Sequence, residues 1–230
     1  HLAKTLGIKL QVNFEIDVGL RRGGFASTEI LGRAIALATA HPTHLTVTGI
    51  MGYEPHLSGM KADLSHPEVQ KVLTRYHAAI AQLKNHGLGL EHMTLNGAGS
   101  HTLKIYERDR TMNDLSAGSG VVMPTDFDTH HLLDNRPALF IATPILKRYD
   151  QNPIVTARNE RLYYIYGGKW KAKMVSPAET GDPLYESTNQ SPITTPGNSD
   201  LQVDDYMFLR PTQSEFVMLQ FGDLLTVTDG

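Results

Sequence analysis

Ile8-Lys9-Leu10-Gln11-Val12-Asn13-Phe14-Glu15-Ile16 is followed almost at once by Gly19-Leu20-Arg21-Arg22-Gly23-Gly24. Apolar residues at every second position predict a buried strand. The glycines predict a tight turn at its carboxyl end. The pattern then repeats. Ser27 is placed to cap a helix whose apolar face is Ile30, Leu31, Ala34, Ile35 and Ala38. Residues 44–50 are β-branched and strand-like. Ser65-His66-Pro67-Glu68 has capping-box form and opens a helix carrying Val69, Val72, Leu73, Tyr76, Ile80 and Leu83, which Gly87 ends. Residues 90–95 form a third strand, and Gly97-Ala98-Gly99-Ser100 follows directly. A fourth short strand is expected within 115–123. Strands alternating with helices predict a parallel sheet. Small, flexible loops at successive strand ends mark the edge where ligands bind in a barrel.

The second half reads differently. From about Pro137 helical periodicity disappears, and strands are expected at 138–147, 154–157, 162–166, 203–209 and 216–221, with 223–228 strand-like as well. Residues 176–200 are rich in Pro, Ser, Thr, Asn and Gly and read as a long loop. The expected fold class is therefore α/β plus all-β, with a partial (β/α) barrel over residues 1–134 and a C-terminal β domain over 135–230.

Composition narrows the function. The chain has 230 residues, a formal charge of −3 and no cysteine. With a pI of 6.4, no basic field invites nucleic acid. Without cysteine there are no disulfides, thiolate metal sites or cysteine nucleophiles. That is compatible with a reducing, cytoplasmic setting. No apolar run approaches the ~18 residues of a membrane span. His1 is not a Met, and Asp229-Gly230 is a turn signal that wants a partner strand after it. Both ends read as cuts, the alternative being tag removal and a natural C-terminus.

Several segments can carry chemistry. In Gly97-Ala98-Gly99-Ser100-His101-Thr102, small residues let backbone N–H groups approach an anion, a helix starting there would add its positive end, and Ser100 and Thr102 can donate. A tight βα turn would need the same glycines. Arg21-Arg22 in the first glycine loop can hold a carboxylate, a phosphate or a phenolate oxygen, or can be a solvated basic turn. In Gly52-Tyr53-Glu54-Pro55-His56, Tyr53 and His56 can be acid/base or stacking groups, or a packed tyrosine and an exposed histidine. Gln213 and Glu215, two apart after Arg210-Pro211-Thr212, would converge on one ligand if extended. An amide and a carboxylate suit Mg²⁺, Mn²⁺ or a substrate ammonium. The eleven histidines show no H-E-x-x-H spacing.

The ordered set resembles one family. Glu15-Ile16-Asp17-Val18-Gly19-Leu20-Arg21-Arg22-Gly23-Gly24 resembles the E-I-D-V-G-x-x-R-x-G signature of D-threonine aldolases and D-serine dehydratases. These are fold-type III pyridoxal-phosphate (PLP) enzymes related to alanine racemase. Residues 97–102 resemble the family's phosphate loop, and Asp114-Leu115-Ser116-Ala117-Gly118-Ser119 its E-L-R-x-G-[ST] strand. Gly167-Gly168-Lys169-Trp170-Lys171-Ala172 and Arg210-Pro211-Thr212-Gln213-Ser214-Glu215 resemble the amino acid deaminase/aldolase branch.

The resemblance implies PLP as cofactor and an alanine-racemase-like barrel followed by a β domain. Arg22 would approach the cofactor's phenolic oxygen, and Tyr53 would be the strand-end tyrosine. Gly97, Ala98, Gly99, Ser100 and His101 would cradle the phosphate, with Gly118 and Ser119 closing the cradle. None of the ten lysines matches the Schiff-base lysine, so the chain is expected to be a C-terminal fragment, inactive alone. Ser116 replaces the family arginine and Gly120 the tyrosine after G-[ST]. Gln213 and Glu215 stand where relatives hold a divalent metal through histidine and cysteine or aspartate, leaving Glu215 as the candidate Mg²⁺ or Mn²⁺ ligand. The implied activity is aldol cleavage or dehydration of D-3-hydroxy amino acids, in a homodimer. Other readings are a non-catalytic PLP- or amino-acid-binding protein and a sugar-phosphate-binding half-barrel.

Overall fold

The structure is a computed structural model describing residues 1–151 and 158–228. The strand expected at 154–157 and the turn at 229–230 lie outside the described residues. By internal contacts the chain divides into two compact units, His1–Gly118 with Thr129–Leu133, and Ser119–Asp128 with Asp134–Gly230.

The first unit opens with a short helix, α1 (Leu2–Leu6), at residues that carry no helical periodicity. Strand β1 (Leu10–Glu15) follows, then α2 (Thr28–Thr39), β2 (Leu45–Met51), α3 (Pro67–Asn85), β3 (Thr94–Gly97) and β4 (Asp114–Leu115). The four strands form one parallel sheet in sequence order. Each loop after a strand therefore leaves from the same edge of the sheet. Ser27 caps α2 by accepting the Ile30 N–H. At α3 the expected capping box is absent. His66, not Ser65, is the N-cap, and its ring nitrogen accepts the Glu68 N–H. The helices bury most of the expected stripes, Leu31, Ile35 and Ala38 on α2 and Val69, Val72, Leu73, Tyr76 and Leu83 on α3, in one core with Val47, Ile50 and Leu95 of the sheet, whereas Ile30 is exposed and Ala34 and Ile80 are half-buried. The third and fourth strands are displaced and shorter than expected.

The second unit holds β5 (Ile141–Tyr149), β6 (Glu160–Tyr166), β7 (Ala172–Ser176), β8 (Gln190–Pro196) and β9 (Tyr206–Pro211). They form an antiparallel sheet in the order β7-β9-β5-β6-β8. Ile145, Tyr163, Ile165, Ile193, Met207 and Leu209 make its core. Two expectations are corrected. The span 176–200 is not all loop, because β8 pairs with β6 along its whole length. Residues 216–221 are not a strand: α4 (Ser214–Met218) is a short helix that buries Val217. Residues 223–228 carry no strand either. Among the described residues, no helix is long and apolar enough to cross a membrane.

Candidate functional site

The loop after β1 is shaped by Asp17. Its Oδ1 accepts the N–H groups of Gly19 (2.9 Å) and Arg21 (3.0 Å). The Arg21 hydrogen bond is the main reason its carboxyl lies below the ordinary range. Backbone hydrogen bonds from Phe25 N to Glu15 O and from Asp17 N to Phe25 O close the neck of this loop. The loop thus projects Arg22 from a fixed base.

Arg22 is exposed but lies against an aromatic ring. Its guanidinium carbon lies 4.9 Å from the centroid of the Tyr53 ring, a cation–π arrangement. Its contact with Glu15 is loose, at 3.9 Å between exposed groups, so the ion pair does little to fix it. On the loop after β3, a Cβ at Gly99 would come within 2.5 Å of Tyr53 Cε2. Glycine is required there because the tyrosine ring rests on the loop. Arg22, Tyr53 and Gly99, from three successive strand ends, form one stack.

Glu54, beside Tyr53, is fully buried. Its Oε1 accepts the Thr102 hydroxyl at 2.8 Å. Thr102 Oγ1 in turn accepts the Gly99 N–H at 3.0 Å. Glu54 Oε2 is buried and has no partner. Burial pushes this carboxyl up to about 7. Ala98 has a left-handed backbone, φ 65°, an uncommon state for a residue with a side chain.

His56 packs beneath the first loop: a Cβ at Gly19 would meet His56 Nε2 at 2.9 Å. Its Nδ1 is buried without a partner, and burial pushes the imidazole down, toward the neutral form. Ser100 Oγ accepts the Gly118 N–H at 3.0 Å, which ties the end of β4 to the β3 loop. The ring of His101 lies 3.1 Å from the Thr129 hydroxyl, and burial lowers its pKa. The expected helix after the loop is a single 3-10 turn, Leu103–Tyr106, too short to add a useful dipole.

The structure thus gathers Arg22, Tyr53, Gly97, Ala98, Gly99, Ser100, His101 and Gly118 at strand ends of the first unit. Ser119, Gln213 and Glu215 belong to the second. Ser119 donates a short hydrogen bond to Glu215, and Ser214 Oγ reaches Ser119 Oγ at 2.7 Å and Glu215 Oε2 at 3.3 Å. The Ser119 hydroxyl is the main cause of Glu215's lowered pKa. Gln213 and Glu215 do not point the same way as on a strand. Gln213 is extended while Ser214 starts α4, so Gln213 reaches Asp126 at 3.2 Å instead. Among the described residues no group of three or more His, Asp or Glu side chains is arranged to hold a metal. Glu54 escapes a reading of the sequence, where a glutamate before a proline at a strand end gives no sign of burial.

A parallel βα unit with small-residue loops at the carboxyl ends of its strands is the architecture of part of a (β/α) barrel. Residues 1–125 match the family described as alanine racemase, N-terminal domain, and the chain belongs to that family. Among solved structures, the D-threonine aldolase from Filomicrobium marinum is similar at 15% identity and a TM-score of 0.72 over 92% of this chain and 58% of that one. The alanine racemase from Clostridium difficile 630 is similar at 19% and 0.66, over 90% and 57%. A D-threo-3-hydroxyaspartate dehydratase is similar at 13% and 0.65, over 92% and 61%. The fold is therefore the alanine-racemase one, part barrel and part β domain, and the chain spans about 58% of the length of the aldolase. No curated protein matches it in sequence.

The residues present fit the cofactor that the family resemblance implies. A guanidinium stands at one strand end, while small residues and hydroxyls stand at another. A Cβ at Gly118 would meet nothing within 4 Å, so that part of the edge is open to a ligand.

Proposed function

We propose that this chain is the PLP-binding part of a lyase acting on D-3-hydroxy amino acids. The reaction would be aldol cleavage to glycine and an aldehyde, or dehydration and deamination to a keto acid. The observation that carries the reading is the Arg22–Tyr53–Gly99 stack. It joins an anion-binding cation to the glycine loop through an aromatic spacer.

PLP, when bound, supplies an electron sink for negative charge at the substrate Cα. The chain's own residues bind and orient it. Arg22 would hold the phenolic oxygen, for which a guanidinium is a strong donor. The 97–101 loop would take the phosphate, with Ser100 held in place by the Gly118 N–H that it accepts. Tyr53 fixes the spacing between these two and shields one side from water. Glu215, whose carboxyl Ser119 and Ser214 hold below its ordinary range, would act on the substrate hydroxyl by its sequence correspondence, whereas Gln213 is engaged with Asp126. The group beside that hydroxyl decides between the two routes.

The test is product analysis with the full-length gene product, PLP and D-threonine or D-3-hydroxyaspartate. PLP-dependent formation of glycine plus aldehyde, or of a keto acid, is expected. PLP binding without turnover would leave a binding protein, and absence of PLP binding would refute the reading.

A further inference from the structure

We propose that Glu54 is a positioning residue for the anion loop, and that an anion seated in the loop is accompanied by a proton taken up on the Glu54 carboxyl. The proposal rests on the phosphate-binding reading of residues 97–101.

The geometry comes first. Glu54 leaves β2 one strand away from the loop and lies directly behind it. It takes one of the loop's polar groups directly, the Thr102 hydroxyl at 2.8 Å. The Gly99 N–H is bound one step further on, through Thr102 Oγ1. The chain from Gly99 through Thr102 to Glu54 sets the loop backbone at Ala98 and Gly99. Thr102 is as buried as Glu54, at 1% exposure, so water cannot substitute for either partner.

The electrostatics follow from that position. The titratable groups facing Glu54 are Tyr76 of α3 and Tyr106 of the 3-10 turn, both phenols that burial drives well above their ordinary range. Both hydroxyls stay neutral, and neither supplies positive charge. No cation is among the groups that act on the carboxyl. One carboxylate oxygen is left without any partner. A buried carboxylate of this kind is already close to protonation at neutral pH. A dianionic phosphate bound in the loop adds a like charge at short range, which favours the neutral acid. Binding then consumes one proton for each anion wherever free Glu54 is ionised. Affinity for a phosphate ester accordingly falls as pH rises above about 7, by up to about tenfold per pH unit.

The probe is pyridoxine 5'-phosphate, which has the cofactor's ring and phosphate but no aldehyde. Its dissociation constant is measured from pH 6 to 9 on the wild type and on Glu54→Gln. The amide keeps an oxygen for Thr102 but cannot titrate. The difference between the two profiles removes the ligand's own ionisations. The expected result is similar affinity at pH 6 and tighter binding by Glu54→Gln at pH 9, by roughly ten- to a hundredfold. Parallel profiles would overturn the Glu54 proposal and leave the cofactor reading standing. Absence of binding by either protein would sink both.

Should Glu54→Gln fail to fold, Thr102→Val and Thr102→Ser decide the positioning role. Valine should speed amide hydrogen exchange at Gly99 and weaken the probe at every pH, and serine should restore both. Unchanged exchange with valine would overturn the proposal.

Discussion

The Arg22 guanidinium and the Tyr53 ring lie face to centroid at 4.9 Å, although they come from different strand ends. The Cε2 edge of the Tyr53 ring also lies against Gly99. A charge carried on an exposed loop is thereby set at a fixed height above the glycine loop. Without the ring, Arg22 would be an ordinary surface arginine with a loose ion pair.

Arg22→Ala should weaken PLP binding by about tenfold, the scale of one charge-assisted hydrogen bond. Tyr53→Phe keeps the ring and should change affinity little, whereas Tyr53→Leu should weaken binding nearly as much as Arg22→Ala. Titration of the three variants by fluorescence checks the order.

Gly99→Ala places a methyl group 2.5 Å from Tyr53 Cε2. The ring must move and carry Arg22 with it. Stability should drop by about 1–3 kcal/mol, as for other overpacked sites, and PLP affinity should fall as well. Denaturant unfolding and the same titration measure the two effects separately.

Much of this arrangement is legible in the sequence. The strands β1 and β2 and the helices α2 and α3 announce themselves because their periodicity is local. The loops follow because glycine at a strand end has few other uses. What escaped depended on partners distant in sequence. β8 reads as a loop because it contains Pro192 and Pro196, yet it is an edge strand, where proline is tolerated. Phe216, Val217 and Met218 fit a strand or a short helix equally well, and burial of Val217 decides for the helix. Ser65 has the better capping side chain, but His66 occupies the position directly before Pro67. Glu54 could not be found at all, since its burial is made by Thr102 and two tyrosines far along the chain.

Glu54 also links stability to pH. Its folded-state pKa is raised, from 4.5 to about 7, so the native state binds more protons than the unfolded state between those values. Its contribution is complete below about pH 4.5 and is lost as pH rises through about 7, on the order of 3 kcal/mol in total. Glu54→Gln should therefore lose less stability than the wild type between pH 5 and 8. Urea midpoints across that range give the comparison, and identical slopes would contradict the assignment.

In the second unit, Arg210 is nearly buried and donates to Met123 O (2.7 Å), Pro124 O (3.3 Å) and both oxygens of Asp128. It pins the 119–128 segment to β9. Arg210→Met leaves the buried Met123 carbonyl unsatisfied, whereas Pro124 O keeps the Phe127 N–H, and should cost about 1–3 kcal/mol. Asp128→Asn should cost less, because Asp128 is half exposed. Thermal unfolding of the two variants tests the ranking.

The most direct test of the central claim is titration of the folded chain with PLP, in the presence and absence of excess inorganic phosphate. The stack and loop predict saturable binding that phosphate competes away and Arg22→Ala weakens. Folded protein that shows no saturable binding, or binding indifferent to both phosphate and Arg22, would contradict it.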